Sequence, residues 1–575
     1  MDAHKALIKD IFNGSTFVEI PFFQRNYVWE EDLWERLLQD MEFIVKSQKP
    51  HFFGSIILKE GEKPKQGQQV SSILTVVDGQ QRLTTFLIFL KVLCLKLNET
   101  TLFDFQFRIM GKEIALRHGK NDVEAFEKVM AAEKADIIEN PEPKSKIIEA
   151  YNYFVEKINP ELLDIMTIET NTQFVRIDLN ADEDEQQIFD TINSLGVNLT
   201  TSELLKNYFF SRETVQEYDE KWAAVFEKDD DTKIYWDQEI EAGRNKRAMI
   251  DIFFDAYFQI FIQNKKYNIS TEDKLYYSRI DKLAQSYQHF IKNYCNGNKD
   301  EVLKPLKDYA LCFMETFNPS LCKSGIPSEY GVERINVIIF GLKTTTLIPY
   351  ILYLVKNIED KDNLNEMMRV IESYIMRRMV THESTKNYNN LFISLILNNI
   401  VNEEKLVEYI SKSADSTTYI PDNDILKEGF LKSKLTNLQT KGILYLIESR
   451  IRPKNSATVL LGFDNYSLEH LMPKKWRNNW PACDSEDKAI IRDRVLLTLG
   501  NLAIITQALN ASIRDADWST KRSGKGENKP GLDKCAAGLA TFESVLNKEI
   551  WNEDIINQRA EELYNWAKQI WSISE

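Results

Sequence analysis

The sequence lacks the cysteine patterns on which disulfide-rich and zinc-binding domains depend. Its six cysteines are scattered over 575 residues without a Cys-x-x-Cys pair, at positions 94, 295, 312, 322, 483 and 535. Because disulfide frameworks and zinc knuckles need closely spaced cysteines, both kinds of domain are disfavoured.

Long apolar runs are also missing. The most apolar segment, residues 84–97, is interrupted by Lys91 and Lys96 and is shorter than the about 20 residues of a membrane-spanning helix. The first residues, Met1 to Lys5, lack the apolar core of a signal peptide. We therefore expect a protein of the cytoplasm that has no contact with a membrane.

A surplus of positive charge, which proteins that coat nucleic acid need, is absent as well. The formal net charge is −15, with 72 Lys and Arg against 87 Asp and Glu. This balance argues against non-specific binding of nucleic acid. The charge is uneven, however, since eleven Lys and Arg stand against eight Asp and Glu from Ser467 to Lys529. A polyanion is therefore expected to contact the C-terminal part of the chain.

Length and composition predict several globular domains. A chain of 575 residues exceeds what one hydrophobic core supports, and 43% hydrophobic with 28% charged residues are values typical of folded proteins. Helical spacing dominates the middle, as in Met249–Phe261 and Met367–Met379. There Arg377 and Arg378 could contact DNA phosphates, although a solvated helix end is the simpler interpretation. We divide the chain into three domains, residues 1–212, 213–455 and 456–575.

A polar turn between a predicted strand and a predicted helix is the first candidate site. The β-branched run Ser72–Val77 has the composition of a strand, and residues from Leu83 to Leu97 predict a helix with one apolar face. The turn between them could bind an anion at the helix N-terminus and consists of Asp78, Gly79, Gln80, Gln81 and Arg82. An ordinary polar turn, in which Arg82 pairs with Asp78, explains the same pattern.

An aromatic segment precedes this turn. Residues 20–29 read Ile-Pro-Phe-Phe-Gln-Arg-Asn-Tyr-Val-Trp, so that aromatic side chains surround Gln24 and Arg25. Such a cluster is typical of a hydrophobic core, but it could also stack a base while Arg25 binds a phosphate. Residues 51–58 and 174–179 have the pattern of strands, and Thr200–Glu203 has that of a helix N-cap.

Four segments in this order resemble the N-terminal domain of the GmrSD family of modification-dependent (type IV) restriction proteins. They read IPFFQRNYVW, HFFGSIIL, VVDGQQRLTTF and IFDTINSLGVNLTTSELLKNYFF. The phosphorothioate-sensing SspE proteins and the BrxU-type enzymes share this ParB-like domain. The resemblance implies that a nucleoside triphosphate is bound and hydrolysed at the DGQQR turn, with catalytic roles for Asp78 and Arg82. The implied nucleotide pocket also includes Gln24, Arg25, Gly79, Gln80 and Gln81, of which the first two could instead sense the modification.

The second candidate site surrounds a single histidine. Residues 467–473 read Ser-Leu-Glu-His-Leu-Met-Pro and are followed by Leu-Gly-Asn-Leu at 499–502. His470 is the only histidine after His382, so this segment alone cannot form a multi-histidine metal site. A lone histidine is usually structural, but the neighbouring Glu469 and the later asparagines, Asn501 and Asn510, favour a functional role.

These residues resemble the HNH, or His-Me finger, nuclease domain at the C-terminus of GmrSD-type proteins. The resemblance implies a ββα-metal fold in which His470 ends the first strand and acts as general base on the attacking water. Asn501, on the second strand, would orient the imidazole. Glu469 and Asn510 would hold one divalent cation, Mg²⁺ or Mn²⁺, and Lys521 would contact a phosphate. Many HNH domains carry histidine where Asn510 stands, and Asn510 could instead cap the following helix.

We therefore predict a mostly helical α+β protein with a ParB-like N-terminal domain, a helical middle and a ββα-metal C-terminal domain. The predicted function is an NTP-regulated endonuclease that cleaves or nicks modified foreign DNA, such as phage DNA, in bacterial defence. One alternative is a nucleotide-gated sensor of modified DNA with an inactive HNH-like end, and another is an NTPase subunit of a defence complex. The expected partners are double-stranded DNA and a nucleotide, and a homodimer is left open.

Overall fold

A computed structural model describes residues 2–21, 26–60, 72–142, 144–180, 200–243, 245–412, 417–453, 456, 458–526, 529–536 and 538–573. Contacts divide the chain into two compact units, Met1–Glu220 and Lys221–Glu575. This division does not distinguish the three predicted domains, which stay a prediction. Gln24 and Arg25 lie outside the described residues, as do Asn193 and Gly196 of the fourth family-like segment.

The first unit is built on a mixed sheet. Its strands are β1 (Asp2–Leu7), β2 (Thr16–Glu19), β3 (His51–Glu60), β4 (Ser72–Asp78), β5 (Arg108–Ile109), β6 (Glu113–Ile114), β7 (Leu116–Arg117) and β8 (Thr172–Leu179). Among the described residues, the main sheet has the order β1-β8-β3-β4-β2-β7, while β5 pairs with β6. β3 runs antiparallel to β4 and parallel to β8. The predicted strands at 51–58, 72–77 and 174–179 are confirmed as parts of β3, β4 and β8.

The helices of the first unit surround one buried helix. They are α1 (Ile8–Ile11), α2 (Glu31–Ser47), α3 (Gln80–Leu97), α4 (Thr100–Phe107), α5 (Val123–Met130), α6 (Lys146–Lys157), α7 (Ile165–Asn171), α8 (Thr201–Phe209) and α9 (Val215–Tyr218). The prediction of a single apolar face for α3 is wrong, because every side chain from Leu83 to Leu95 is buried. Even Lys91 is buried, with its ammonium 5.2 Å from the centre of the Phe103 ring, and burial lowers its pKa. Thus α3 is the centre of the hydrophobic core.

The predicted cap at Thr200 is confirmed at the start of α8. The Thr200 hydroxyl accepts from the backbone N–H of Glu203 at 3.2 Å, and the Glu203 carboxylate accepts from the backbone N–H of Thr200 at 2.8 Å. This reciprocal capping box satisfies two backbone donors that the first helical turn leaves without partners.

The second unit is mostly helical and contains two antiparallel strand pairs. The strands are β9 (Glu239–Ala242), β10 (Asn245–Ala248), β11 (Tyr466–His470) and β12 (Leu502–Thr506). The helices are α10 (Ala224–Phe226), α11 (Asp230–Asp237), α12 (Met249–Phe261), α13 (Thr271–Tyr277), α14 (Leu283–Tyr294), α15 (Asp300–Thr316), α16 (Val332–Asn336), α17 (Ile348–Asn357), α18 (Lys361–Val380), α19 (Tyr388–Leu397), α20 (Glu403–Ser411), α21 (Asn423–Lys432), α22 (Asn437–Ile451), α23 (Glu486–Val495), α24 (Gln507–Ile513), α25 (Trp518–Ser523), α26 (Leu532–Cys535), α27 (Glu543–Leu546) and α28 (Glu553–Ile570).

The predicted fold class, a mostly helical α+β protein, is confirmed. The predicted helix at 249–261 coincides with α12, and the one at 367–379 lies within α18. None of the described helices is both long and apolar enough to cross a membrane.

Arg377 and Arg378 are both buried. They are therefore neither a surface for DNA phosphates nor a solvated helix end, and both sequence interpretations are wrong. The Arg378 side chain is buried and donates to the carbonyl oxygens of Tyr419 and Thr417. Arg377 is also buried and donates to the carbonyl oxygens of Trp571 and Pro421. Apolar periodicity predicted the helix, but it could not show that the loop at 417–421 binds both guanidinium groups and that Trp571 also binds Arg377.

A buried ion pair joins helices that are far apart in the sequence. Arg334 of α16 donates to both carboxylate oxygens of Glu372 in α18, at 2.6 and 2.8 Å. The same guanidinium donates to Ser449 Oγ in α22, and the Trp571 indole donates to Glu372. Both charged side chains are almost fully buried, so each ion depends on the other and on these hydrogen bonds.

We expect Glu372→Ala to destabilise the second unit strongly, because it leaves the Arg334 guanidinium buried without an anion. The free energy of unfolding, measured by urea denaturation, should fall by about 3–5 kcal/mol. Glu428→Ala, which breaks an exposed pair with Lys432 on α21, is the control and should cost less than about 1 kcal/mol. Equal losses in the two variants would contradict this assignment.

Candidate functional site

The DGQQR turn joins the end of β4 to the start of the buried helix α3. Asp78 is the last residue of β4, and Gly79 forms the helix N-cap with a φ of +96°. A Cβ atom at residue 79 would lie 3.1 Å from the side chain of Ile56, so both the backbone conformation and the space favour glycine. The turn therefore presents the N-terminus of α3, with its unpaired N–H groups, beside Asp78.

Arg82 pairs with Asp78, as the ordinary-turn interpretation expected. Its Nη2 donates to Asp78 Oδ2 at 2.9 Å, and the two side chains are 23% and 19% exposed. The Arg82 side chain also lies over Gly54 of β3, where a Cβ atom would come within 2.9 Å of its Cδ. The Arg82 Nε is buried and has no hydrogen-bond partner among the described residues. The role of this pair in nucleotide binding stays a prediction.

The two glutamines of the turn have different environments. The Gln81 amide accepts from the backbone N–H of Val28 at 2.9 Å and donates to the carbonyl oxygen of Asn26 at 3.1 Å. It therefore binds residues 26–28, inside the aromatic segment, through one backbone donor and one backbone acceptor. Gln80 is equally buried, but its amide forms no hydrogen bond with a described residue. Only Gln80 thus keeps its full hydrogen-bonding capacity for a ligand.

A buried network around Tyr27, which the sequence did not reveal, completes this region. The Tyr27 backbone N–H donates to Asp122 at 2.6 Å, and its hydroxyl shares a hydrogen bond of 2.7 Å with Thr85. The Trp34 indole donates to the same hydroxyl at 2.8 Å, and Thr84 is bonded to His118. The sequence marked Tyr27 as part of the aromatic segment, and its burial fits the hydrophobic-core interpretation, but no local pattern indicated Asp122, Thr85 or Trp34 as its partners.

The second candidate site lies on an antiparallel strand pair followed by a helix. His470 is the last residue of β11 and is paired with Leu502 of β12, while Glu469 is paired with Ala503. α24 begins directly after β12. This strand, strand and helix order is compatible with the predicted ββα-metal fold, whose identification stays a prediction.

Asn501 contacts the backbone that follows His470. It lies one residue before β12, in a short 3₁₀ turn, and is completely buried. Its amide accepts from the backbone N–H of Met472 and donates to the carbonyl oxygens of Met472 and Leu496, all at 2.8–2.9 Å. The expected place of Asn501 on the second strand is wrong by one residue, and its role in orienting the imidazole stays a prediction, since these three bonds go to backbone groups.

The His470 imidazole is held in its neutral form. The side chain is half-buried, and burial, with smaller contributions from Lys474 and Lys521, lowers its pKa to about 4. A neutral imidazole keeps a nitrogen lone pair at pH 7 and can accept a proton. Asp515, which the sequence did not single out, acts in the opposite direction on this pKa.

Lys521 and Glu469 form a buried ion pair beside His470. The Lys521 ammonium donates to the Glu469 carboxylate and, at 2.7 Å, to the carbonyl oxygen of His470. The two side chains are 1% and 7% exposed. Burial raises the pKa of Glu469 and lowers that of Lys521, and the attraction between the two ions opposes both shifts. In this arrangement Lys521 binds the strand, not a phosphate.

Glu469 and Asn510, the residues expected to bind a divalent cation, carry the oxygen atoms that such an ion prefers as ligands. The Asn510 amide nitrogen donates to Ser467 Oγ and to the carbonyl oxygen of Leu468, both at 3.0 Å, which leaves its oxygen as a donor atom for a metal. Ser467 and Glu469 share one face of β11, since side chains alternate along a strand. Among the described residues no group of three His, Cys, Asp or Glu side chains could hold a metal. A hard cation such as Mg²⁺ binds through one or two such oxygens when a substrate phosphate and water supply the rest.

The alternative role of Asn510 as a helix cap is wrong. Asn510 lies inside α24, and Thr506 is the N-cap residue, whose hydroxyl accepts from the backbone N–H of Leu509.

Comparison with models of protein families gives two matches. The model of the GmrSD restriction endonuclease N-terminal domain matches residues 7–210, which include the DGQQR turn. The model of the GmrSD restriction endonuclease C-terminal domain matches residues 420–566, which include His470, Asn501 and Asn510. No curated protein matches the chain significantly. The N-terminal and the C-terminal domain models of the family thus both match this one chain, in the expected order. The chain therefore belongs to the GmrSD family of restriction endonucleases.

Proposed function

We propose that the protein is an NTP-regulated, divalent-metal-dependent endonuclease that cleaves or nicks modified foreign DNA, such as phage DNA. The observation that carries this proposal is the position of His470, half-buried at the end of β11 with the backbone around it held by Lys521 and Asn501, in a chain of a restriction endonuclease family. A general base must be held at a defined position and be unprotonated at working pH. The hydrogen bonds to the backbone around His470 serve the first requirement, and burial, which lowers the pKa of His470, favours the second.

In the proposed nuclease reaction His470 removes a proton from the water that attacks the scissile phosphate. The backbone around His470 is held from two sides, by Asn501 at Met472 and by Lys521 at the His470 carbonyl oxygen. Glu469 and Asn510 would hold Mg²⁺ or Mn²⁺, and such a cation stabilises the negative charge that develops on the phosphate. Because Lys521 already neutralises Glu469, the cation and Lys521 compete for the same carboxylate.

In the proposed nucleotide site the phosphates lie at the N-terminus of α3. Backbone N–H groups from Gly79 onward and the positive end of the helix dipole favour an anion there. Arg82 would exchange its bond to Asp78 for a phosphate oxygen, and Gln80 would donate to another. We extend this pocket to Gln24 and Arg25, which the family resemblance assigns to it.

A DNA sensor without nuclease activity is the second candidate. The buried pair of Glu469 and Lys521 favours it, since it occupies the only carboxylate among the proposed metal ligands. This candidate predicts that the wild-type protein retards modified DNA in gels and produces no strand breaks in the presence of Mg²⁺ or Mn²⁺.

We expect His470→Ala to abolish DNA cleavage and to leave NTP hydrolysis unchanged. Loss of a general base lowers the rate by roughly 10²–10⁴-fold. The measurement is a cleavage assay on unmodified, glucosylated and phosphorothioated DNA, each with and without NTP. His382→Asn is the control, because His382 is exposed and asparagine tolerates its φ of +60°. Cleavage by the His470 variant at the control's rate would refute the nuclease assignment.

We expect Asp78→Ala to slow NTP hydrolysis, because it removes the carboxylate that holds Arg82 at the helix N-terminus until a phosphate takes its place. Release of phosphate should fall by roughly a hundredfold, a typical value for loss of an electrostatic catalytic group. Asp104→Ala is a matched control, since Asp104 forms the same i,i+4 ion pair with Arg108 elsewhere in the first unit. If both variants hydrolyse NTP at the wild-type rate, Asp78 has no part in catalysis.

We expect Gln80 to contact the nucleotide and Gln81 to have a structural role. Gln80→Ala should weaken nucleotide binding in calorimetry by roughly tenfold, the loss of one hydrogen bond to a charged group. Gln81→Met should instead speed hydrogen exchange of the Val28 amide, whose acceptor it removes. The reverse result, with faster Val28 exchange only in Gln80→Ala, would contradict this division.

A further inference from the structure

The amide of Asn501 has four hydrogen bonds, and only three of them go to the backbone. Its oxygen accepts from the Met472 backbone N–H and also from the indole N–H of Trp551, at 2.9 Å. Its nitrogen donates to two carbonyl oxygens. Since an amide oxygen accepts at most two such bonds and the nitrogen donates two, the group is fully satisfied. Of the three residues that bond to this amide, Trp551 is the one that does so through its side chain.

The Trp551 indole is itself held rigidly. It is 3% exposed and stacks on the ring of Trp518, with centroids 5.0 Å apart and planes inclined by 29°. The backbone carbonyl oxygen of Trp551 accepts from the indole N–H of Trp480 at 3.2 Å. A ring fixed in this way places its N–H at a defined point, which a flexible donor would not do.

The helix that follows Trp551 packs against the same turn. Arg559 of α28 is buried and donates to the carbonyl oxygens of Gly500 and Leu502, at 2.8 and 2.7 Å. A Cβ atom at Gly500 would lie only 2.1 Å from the carbonyl oxygen of Ile556, so α28 approaches this turn as closely as a glycine permits. The residues on both sides of Asn501 are therefore fixed, and Trp551 supplies the only one of the four bonds to the Asn501 amide that comes from another side chain.

We propose that Trp551 is a positioning residue of the nuclease site, which acts through the Asn501 amide on the backbone at Leu471 and Met472. The indole N–H donates to the amide oxygen and would oppose the amide nitrogen, so it reinforces the orientation in which Asn501 accepts from Met472. Leu471 also donates its backbone N–H to the carbonyl oxygen of Asn501 at 2.9 Å. These contacts fix the chain directly after His470. The inference rests on the proposed nuclease function of His470.

The test compares Trp551→Phe with Trp518→Phe. Each change removes one indole N–H and keeps an aromatic ring in the same stack. The Trp518 indole donates to the carbonyl oxygen of Lys548 and does not touch Asn501, which makes it a matched control. We expect Trp551→Phe to lower the single-turnover rate of DNA cleavage by roughly 10–100-fold, the usual effect of losing a residue that orients a reactive group. DNA affinity and NTP hydrolysis should stay at the control's values.

A second measurement separates this inference from the proposed function. Hydrogen exchange of the Met472 amide should be faster in Trp551→Phe than in Trp518→Phe, both measured below their melting temperatures. The inference is overturned if Met472 exchanges equally in the two variants, or if both cleave DNA at one rate. If the wild-type protein does not cleave DNA at all, the proposed function fails, and faster Met472 exchange would then assign Trp551 to the fold alone.

Discussion

Buried side-chain amides that bind the backbone of a distant segment hold both candidate sites together. Gln81 binds residues 26–28 beside the DGQQR turn, and Asn501 binds Met472 beside His470. An amide can replace a missing strand partner, since it offers one acceptor and two donors in a plane. Each such bond contributes only about 1 kcal/mol, but leaving its buried partners unsatisfied costs about 1–3 kcal/mol for each group. The geometry of each site is therefore coupled to the stability of its unit.

Buried cations have a comparable structural role in the second unit. Arg334 is bound to a carboxylate, whereas Arg378 and Arg559 are bound to carbonyl oxygens. Burial lowers the pKa of Arg559 to about 10, while the Glu562 carboxylate opposes this shift, and the guanidinium stays charged at pH 7. Positive residues in the sequence are consequently a poor guide to DNA contacts. In the His470 region Lys521 is buried and Arg477 is paired with Asp493, whereas Lys474 and Lys475 are exposed.

The proposed nuclease site has its reactive group and its supports on different elements. His470 ends β11, Asn501 precedes β12, Lys521 belongs to α25 and Trp551 precedes α28. Lys521 and Asn501 contact consecutive stretches of backbone, at His470 and at Met472. Such support on rigid elements keeps a catalytic group within the narrow range of positions that catalysis demands. Lys521 neutralises the charge of Glu469, and a bound cation would make the net charge of this site more positive.

Local pattern was sufficient for much of the fold, and it singled out the residues of both candidate sites, whose roles stay predictions. Strand composition marked β3, β4 and β8, helical spacing marked α12 and α18, and the capping box marked the start of α8, because these features depend on neighbouring residues. Motif order placed the chain in its family. The sequence could not show that α3 is buried on all sides, that Arg378 faces carbonyl oxygens, or that Asn501 bonds to Met472 and Trp551. Those contacts join residues far apart in the sequence, such as Phe86 with Phe174 and Asn501 with Trp551, so only the packing of whole helices and strands decides which groups meet.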